Sequence, residues 1–292
     1  MHQLRIEELD KNIFIPENMD ECNREQRLDI AKLVFMYQMF EISYEQFKVL
    51  ALYNLMNMEY SESVLPSLEE EKWQNITIIS DLLDSFFELR EDGKLHLVFT
   101  AIDNPVKKVS YKSAAFFGPS DWFKDMSWGQ FIEGLGQLQS FSSSGKIEHL
   151  VNLFAIFYLR QNERFTKINL GKRVAYFDSL DIRYVYYFYL LFNNFWLFLT
   201  TSSLIKVDGR EIDLRILFQQ GNNGSNGTSV DIEHPDLGLR STTFQMAESG
   251  VFGPLDKLME AKFGPVILNM YDVMVRNLKR EAELEAQKNE NK

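Results

Sequence analysis

The chain of 292 residues holds 42 acidic and 31 basic residues, and its net charge is −11. The average field of such a chain repels a polyanion, so we expect no nucleic-acid partner. The single cysteine excludes an internal disulfide and, with no basic or apolar leader at the amino terminus, favours the cytoplasm. The hydrophobic fraction of 45% can build one large domain or two smaller ones.

The first part of the chain shows a strand-like alternation of apolar residues, followed by helical periodicity. Residues 4–15 alternate around a polar turn, which predicts a short β-hairpin that ends at Pro16. Apolar positions at helical spacing predict one helix from Arg24 and another from Ser43. The Ser43 hydroxyl and the Gln46 amide have the spacing of a capping box. We expect the two helices to form an antiparallel hairpin.

The middle of the chain predicts a third helix and a second β pair. An acidic start favours a helix over 69–90. Residues 94–99 and 109–111 then alternate, and we expect them to pair as antiparallel strands. Helices resume at Ser127, again with a capping-box residue three positions later, and continue beyond a hinge at 142–145.

An aromatic segment follows at 184–199. It is shorter than the ~20 apolar residues of a bilayer span and is interrupted by Asn193 and Asn194, so we expect no membrane partner. We predict instead a buried helix over 178–201 around which the other helices pack. The alternative is an aromatic binding groove or an oligomer contact. In that case the partner-binding rings would be Phe188, Phe192, Phe195 and Trp196.

The carboxy-terminal part predicts a hairpin, a loop and two helices. Asp-Gly between alternating apolar residues indicates a hairpin within 205–218, and the glycine- and asparagine-rich composition of 219–236 indicates a mobile loop. A helix over 238–249 ends at Gly250, which has the position of a left-handed cap. The last helix starts near Pro265 and leads into a charged tail that we expect to fray.

These elements predict a mainly α fold with small β-hairpins, of the α+β class, with a helical core around the aromatic helix. We divide the chain into 1–120, which holds the first hairpin, helices and a small β pair, and 121–292, which is mostly helical. A single continuous domain is the alternative.

The sequence contains no pattern that we can assign to catalysis, to a cofactor or to a metal. The Gly-Leu-Gly at 134–136 lacks the third glycine of a dinucleotide fingerprint, and no phosphate-loop lysine follows the glycines of 221–227. Three carboxylates and His234 within 231–236 could chelate a divalent ion, but such charge is usually solvated. We therefore predict a protein that is not an enzyme, with a diffuse metal-dependent active site as the alternative.

Several segments together carry a resemblance to a known family. They are Ile15-Pro16 with 21–26, then 42–47, 205–214, 246–253 and 267–271. The combination resembles a family of uncharacterised proteins of Bacteroidetes phages and prophages that lies in the tail-morphogenesis region. The resemblance implies a tail-assembly chaperone whose partners are tail tape-measure or tail-tube proteins, located in the bacterial host cytoplasm or in the virion.

The expected function is thus non-enzymatic binding of apolar tail-component segments during virion morphogenesis. Apolar grooves, rather than a polar active site, would serve that task. A connector, tail or baseplate component of the virion is the alternative. Val251 and Phe252, which follow the predicted helix cap, join the aromatic rings as candidate partner-binding residues.

Overall fold

A computed structural model describes residues 1–6, 10–59, 66–91, 93–202, 205–207, 210–218 and 239–290. The predicted fold class is confirmed, because the structure is mainly helical with small antiparallel sheets of two or three strands. The helices are α1 (Arg24–Gln38), α2 (Tyr44–Leu55), α3 (Pro66–Ser80), α4 (Trp128–Ser144), α5 (Ile147–Phe157), α6 (Lys167–Phe177), α7 (Ile182–Thr201), α8 (Leu239–Ser249), α9 (Leu255–Glu260) and α10 (Phe263–Glu290). The strands are β1 (His2–Ile6), β2 (Lys11–Ile15), β3 (Phe87–Leu89), β4 (Leu95–Leu97), β5 (Lys108–Tyr111), β6 (Ala114–Phe117), β7 (Leu159–Arg160), β8 (Ile205–Val207) and β9 (Arg210–Ile212).

The chain forms two compact units whose boundary differs from the predicted one at residue 120. The first unit comprises 1–106 and 179–194, and the second comprises 107–178 and 195–292. The start of α7 belongs to the first unit because its side chains pack on α1. The Tyr186 ring centroid lies 5.2 Å from that of Phe35, and the Arg183 guanidinium donates to Asp29 at 2.8 Å.

The hairpin, the capping box and the helix pair that the sequence predicted in the first unit are confirmed. Strands β1 and β2 pair with His2 opposite Ile15. The Ser43 hydroxyl accepts from the Gln46 amide while the Gln46 side chain accepts from Ser43, as a capping box requires. Gln26, near the start of α1, donates to the carbonyl of Leu55 at the end of α2, so these helices are antiparallel.

The third helix is shorter than predicted. It ends at Ser80, whose hydroxyl donates to the Thr77 carbonyl, and a 3-10 helix over Asp81–Phe86 follows. Residues 87–89 were predicted to be helical but form β3. Phe86 and Phe87 are buried there, and β3 pairs with β4. Tertiary pairing thus overrides the local helical preference.

The predicted pairing of 94–99 with 109–111 is wrong. Residues 95–97 form β4 and pair with β3, whereas β5 pairs with β6 through a turn at 112–113. Strand β7 adds to the other edge of β6, which gives the order β5-β6-β7. Each pairing except that of β7 joins strands that are neighbours in the sequence. The short loops between such strands cost less entropy to close than the longer loop that the predicted pairing requires.

The helical core of the second unit contains both expected and unexpected elements. Gly145 has a φ of 67° and separates α4 from α5, as the predicted hinge requires. Helix α6 was not predicted, and α10 continues to Glu290 where we expected fraying. The expected aromatic helix is α7, nine of whose twenty residues are buried. Within the described residues, none of the helices combines the length and apolar character needed to cross a membrane.

Candidate functional site

An apolar groove of about 440 Å³ lies in the second unit, between α4, the start of α6, α8 and α9. We use the term apolar groove for this feature throughout. Its apolar wall is formed by Ile132, Phe165, Phe244, Leu255 and Met259.

Helices α4 and α9, which both line the groove, approach each other closely at a glycine. A Cβ atom at Gly129 would lie 2.9 Å from the carbonyl oxygen of Met259, a distance that real Cβ contacts do not reach. Glycine therefore allows the backbones to touch here.

Helix α8 is fastened to α4 by a buried hydrogen bond. The indole Nε1 of Trp128 donates to the Thr243 hydroxyl at 3.1 Å, and this hydroxyl donates to the Leu239 carbonyl at 2.7 Å. The Trp128 ring also stacks on Phe263 at the start of α10. These contacts fix α8 so that Thr243 faces inward and the next residue, Phe244, lies at the groove.

Two large apolar side chains of the groove are accessible to solvent. Phe244 is 47% exposed and Leu255 is 40% exposed. Exposed single hydrophobic residues are common, but two that line the same groove offer apolar area that a partner can bury. The groove is therefore suited to an apolar side chain or helix face of another protein.

Charged residues around the groove are paired with each other. Glu133, which is mostly buried, accepts from Lys167 at 2.7 Å and lies 3.8 Å from Arg240. Glu260 contacts Lys257 at 3.3 Å and lies 3.8 Å from Arg164. Glu133 and Glu260 therefore already face cations, and Asp256 is the remaining carboxylate of the lining. Exposed ion pairs contribute little, so the contribution of the groove to binding is mainly apolar.

The aromatic rings predicted to contact a partner are mostly buried. Phe188, Phe192 and Phe195 are at most 4% exposed. The Phe195 centroid lies 4.7 Å from that of Phe123, and the partly buried Trp196 packs edge-on against Phe218 at 5.1 Å. The buried rings of α7 are therefore part of the packed core, as expected for a helix so rich in aromatic residues.

The other two predicted partner-binding residues lie in the turn between α8 and α9. Gly250 has a φ of 72°, as expected for a left-handed cap, and Val251 is 61% exposed while Phe252 is partly buried. These residues therefore connect the two helices that wall the apolar groove.

Sequence reasoning missed Phe244 and Leu255, although a signal for Phe244 exists. The buried face of α8 contains Thr243 and Met246, which are three residues apart. Phe244 is rotated by about 100° from Thr243 and falls beside that face. A large aromatic residue next to the inward stripe of a short helix indicates a surface contact.

No cluster of metal-binding side chains accompanies the groove in the part of the chain that the structure describes. There, no group of three or more His, Cys, Asp or Glu residues is arranged to hold a metal ion. The candidate chelating segment 231–236 and the predicted loop 219–236 lie outside the described residues. Burial raises the pKa of the Cys22 thiol to about 12, which disfavours the nucleophilic thiolate.

Comparisons with known proteins found no match to this chain. No protein-family model, no curated protein and no solved structure matches this chain. The apolar groove is thus argued from its own geometry.

Proposed function

We propose that this chain is a non-enzymatic phage tail-morphogenesis protein that binds an apolar segment of a tail component in the apolar groove. The observation that carries the proposal is the pair of exposed side chains, Phe244 and Leu255, in one groove with a paired charged rim. The segment resemblance to the phage and prophage tail-region family names the class of partner, a tape-measure or tail-tube protein.

The expected contribution of the groove follows from its exposed area. Complete burial of a Phe or Leu side chain contributes about 1.5–3 kcal/mol. Each of the two side chains is a little less than half exposed, so a partner gains roughly 1 kcal/mol from each. Replacement of both by serine then weakens binding by about 2 kcal/mol, which is roughly thirty-fold in Kd.

Co-expression with the tail proteins encoded nearby tests the proposal. We expect one of them to co-purify with the unaltered chain and to be lost or much reduced with the Phe244→Ser/Leu255→Ser variant. Ile78→Ser is the matched control, because Ile78 is 67% exposed on α3 in the first unit and lies away from the groove residues in sequence. Failure of every tail protein to co-purify would contradict the proposed function.

Mass spectrometry of purified particles distinguishes a chaperone from the alternative of a virion component. A chaperone acts during assembly and is absent from the mature particle, whereas a connector, tail or baseplate piece is present in stoichiometric amount. The groove accommodates a partner in both cases, so this measurement decides the permanence of the complex.

A further inference from the structure

A second cavity of the second unit, of about 410 Å³, concentrates positive charge in a chain whose net charge is −11. It lies between the end of β7 with the turn that follows and helix α6. We call it the cationic cavity. Its charged lining residues are Arg160, Glu163, Lys172 and Arg173, beside the rings of Phe116 and Tyr176.

Arg173 is the buried member of this lining and is only 4% exposed. Its Nε donates to the carbonyl of Ala155 at 2.8 Å, and its Nη1 donates to Glu163. Its Nη2 is buried and has no hydrogen-bond partner among the residues that the structure describes. The guanidinium carbon lies 5.9 Å from the centroid of the Phe165 ring. Within the described part of the chain, two N–H groups of this buried cation are therefore left without an acceptor.

Glu163 does not supply the missing acceptor in this structure. One of its oxygens accepts from Arg173 Nη1, and the other accepts from the backbone amide of Arg160 at 2.9 Å. Buried polar groups in native proteins are nearly always satisfied, by protein, water or an ion. Burial lowers the pKa of Arg173 despite the pairing with Glu163, so a further negative group would stabilise the charged guanidinium.

Two more cations line the same cavity. The Arg160 guanidinium lies 5.8 Å from the ring centroids of both Phe116 and Tyr176, which orients it by cation–π contact. Lys172 is exposed on α6. Three cations and one carboxylate leave an excess of two positive charges, and the remaining polar side chains are neutral amides or a phenol.

We propose that the cationic cavity binds a small oxyanion, the phosphate or carboxylate group of a ligand. The anion meets the exposed Arg160 and Lys172 at the mouth and the Arg173 guanidinium at the buried wall. Guanidinium groups suit this role because their planar N–H donors match the geometry of phosphate and carboxylate oxygens. The volume is that of a small-molecule site and leaves room for the organic part of such a ligand. This site is separate from the proposed function and does not depend on it.

Calorimetric titration of the full chain tests the proposal, with inorganic phosphate in one series and succinate in another. Chloride keeps the ionic strength constant, because general screening would otherwise imitate binding. We expect saturable binding of at least one of the two anions. Binding of phosphate alone identifies a phosphate site, and binding of succinate alone identifies a carboxylate site.

Three variants locate the binding. Arg160→Gln/Lys172→Gln removes the two exposed cations, and Arg173→Lys keeps the charge but removes Nη2. We expect each to weaken binding by about ten-fold or more, as loss of a charged hydrogen bond does. Arg5→Gln/Lys11→Gln changes the net charge equally in the amino-terminal hairpin and is expected to bind normally. Absence of binding to both anions, or an affinity unchanged in either cavity variant, overturns the proposal.

Discussion

Substitution of Gly129 by alanine tests the close approach of α4 and α9, two helices that line the apolar groove. The added Cβ would lie 2.9 Å from the Met259 carbonyl oxygen and 3.4 Å from the Met259 Cβ. The backbone atom cannot rotate away, so α9 must move. Overpacking of this kind costs about 1–3 kcal/mol. Alanine regains up to about 1 kcal/mol of helix propensity, and less than that in the first turn of α4.

We therefore expect Gly129→Ala to lower the free energy of unfolding by about 1–2 kcal/mol. Gly136, in the same helix, is the matched control because an added Cβ there meets no described atom from outside the nearby backbone of α4 within 4 Å. Gly136→Ala should raise the free energy of unfolding by about 0.5–1 kcal/mol. The same substitution in one helix thus has opposite signs at two positions.

Urea titration followed by circular dichroism measures both variants against the unaltered chain, and equal m-values justify the comparison. If Gly129→Ala proves as stable as Gly136→Ala, α4 and α9 are not in contact at this glycine. The account of the groove would then lose its structural basis.

Three further predictions concern other parts of the chain. Burial raises the pKa of Cys22 to about 12, so a thiol reagent at pH 8 should label the folded chain far more slowly than the urea-unfolded chain. The buried, protonated thiol contributes its full share of the free energy of unfolding at pH 8, and this contribution falls as the pH rises toward 12. Equal labelling rates would show that Cys22 is accessible. Lys48→Met should lower the free energy of unfolding by about 1–2 kcal/mol at pH 7, because the buried ammonium lies 2.6 Å from Asp81 and 3.0 Å from Glu45. Burial lowers the pKa of Lys48, but these hydrogen bonds raise it more. The difference in urea stability between the unaltered chain and Lys48→Met should therefore persist to pH 10 and shrink only in stronger alkali. Equal stability of the two chains at pH 7 would contradict this. Removal of the residues after Arg276 should change Tm by less than about 2 °C, since the described side chains there are exposed. A large drop in Tm on calorimetry would reveal contacts for this part of α10.

Elements whose signals are local could be predicted from the sequence. The capping boxes at Ser43 and Ser127 formed as expected, because their partners lie three residues away on the same chain segment. Gly145 and Gly250 likewise have positive φ where the sequence indicated a hinge and a cap. Short-range hydrogen bonding and backbone sterics alone determine these features.

Elements that depend on distant contacts could not be predicted in the same way. Residues 87–89 continue a helical pattern, yet they form β3 because residues 95–97 offer a strand partner. The alternation at 94–99 is the same for either partner strand, so periodicity predicts a strand but not its pairing.

The candidate functional features likewise include some that the sequence predicted and others that depend on distant contacts. The aromatic density of α7 predicted burial, and five of its nine aromatic residues are buried while the other four are partly buried. The apolar groove instead combines α4, α8 and α9, and no single segment contains its pattern. Arg173 is equally hidden in the sequence, because its burial depends on the Ala155 carbonyl and on Glu163.

Site-specific photo-crosslinking tests the central claim most directly. A benzophenone amino acid replaces Phe244 in one chain and Ile78 in another, and both are expressed together with the tail proteins. Both side chains are exposed, so non-specific capture should be similar. We predict a crosslink to one tail protein from position 244 and none from position 78. Equal crosslinking from both positions, or none from position 244, would contradict binding in the apolar groove.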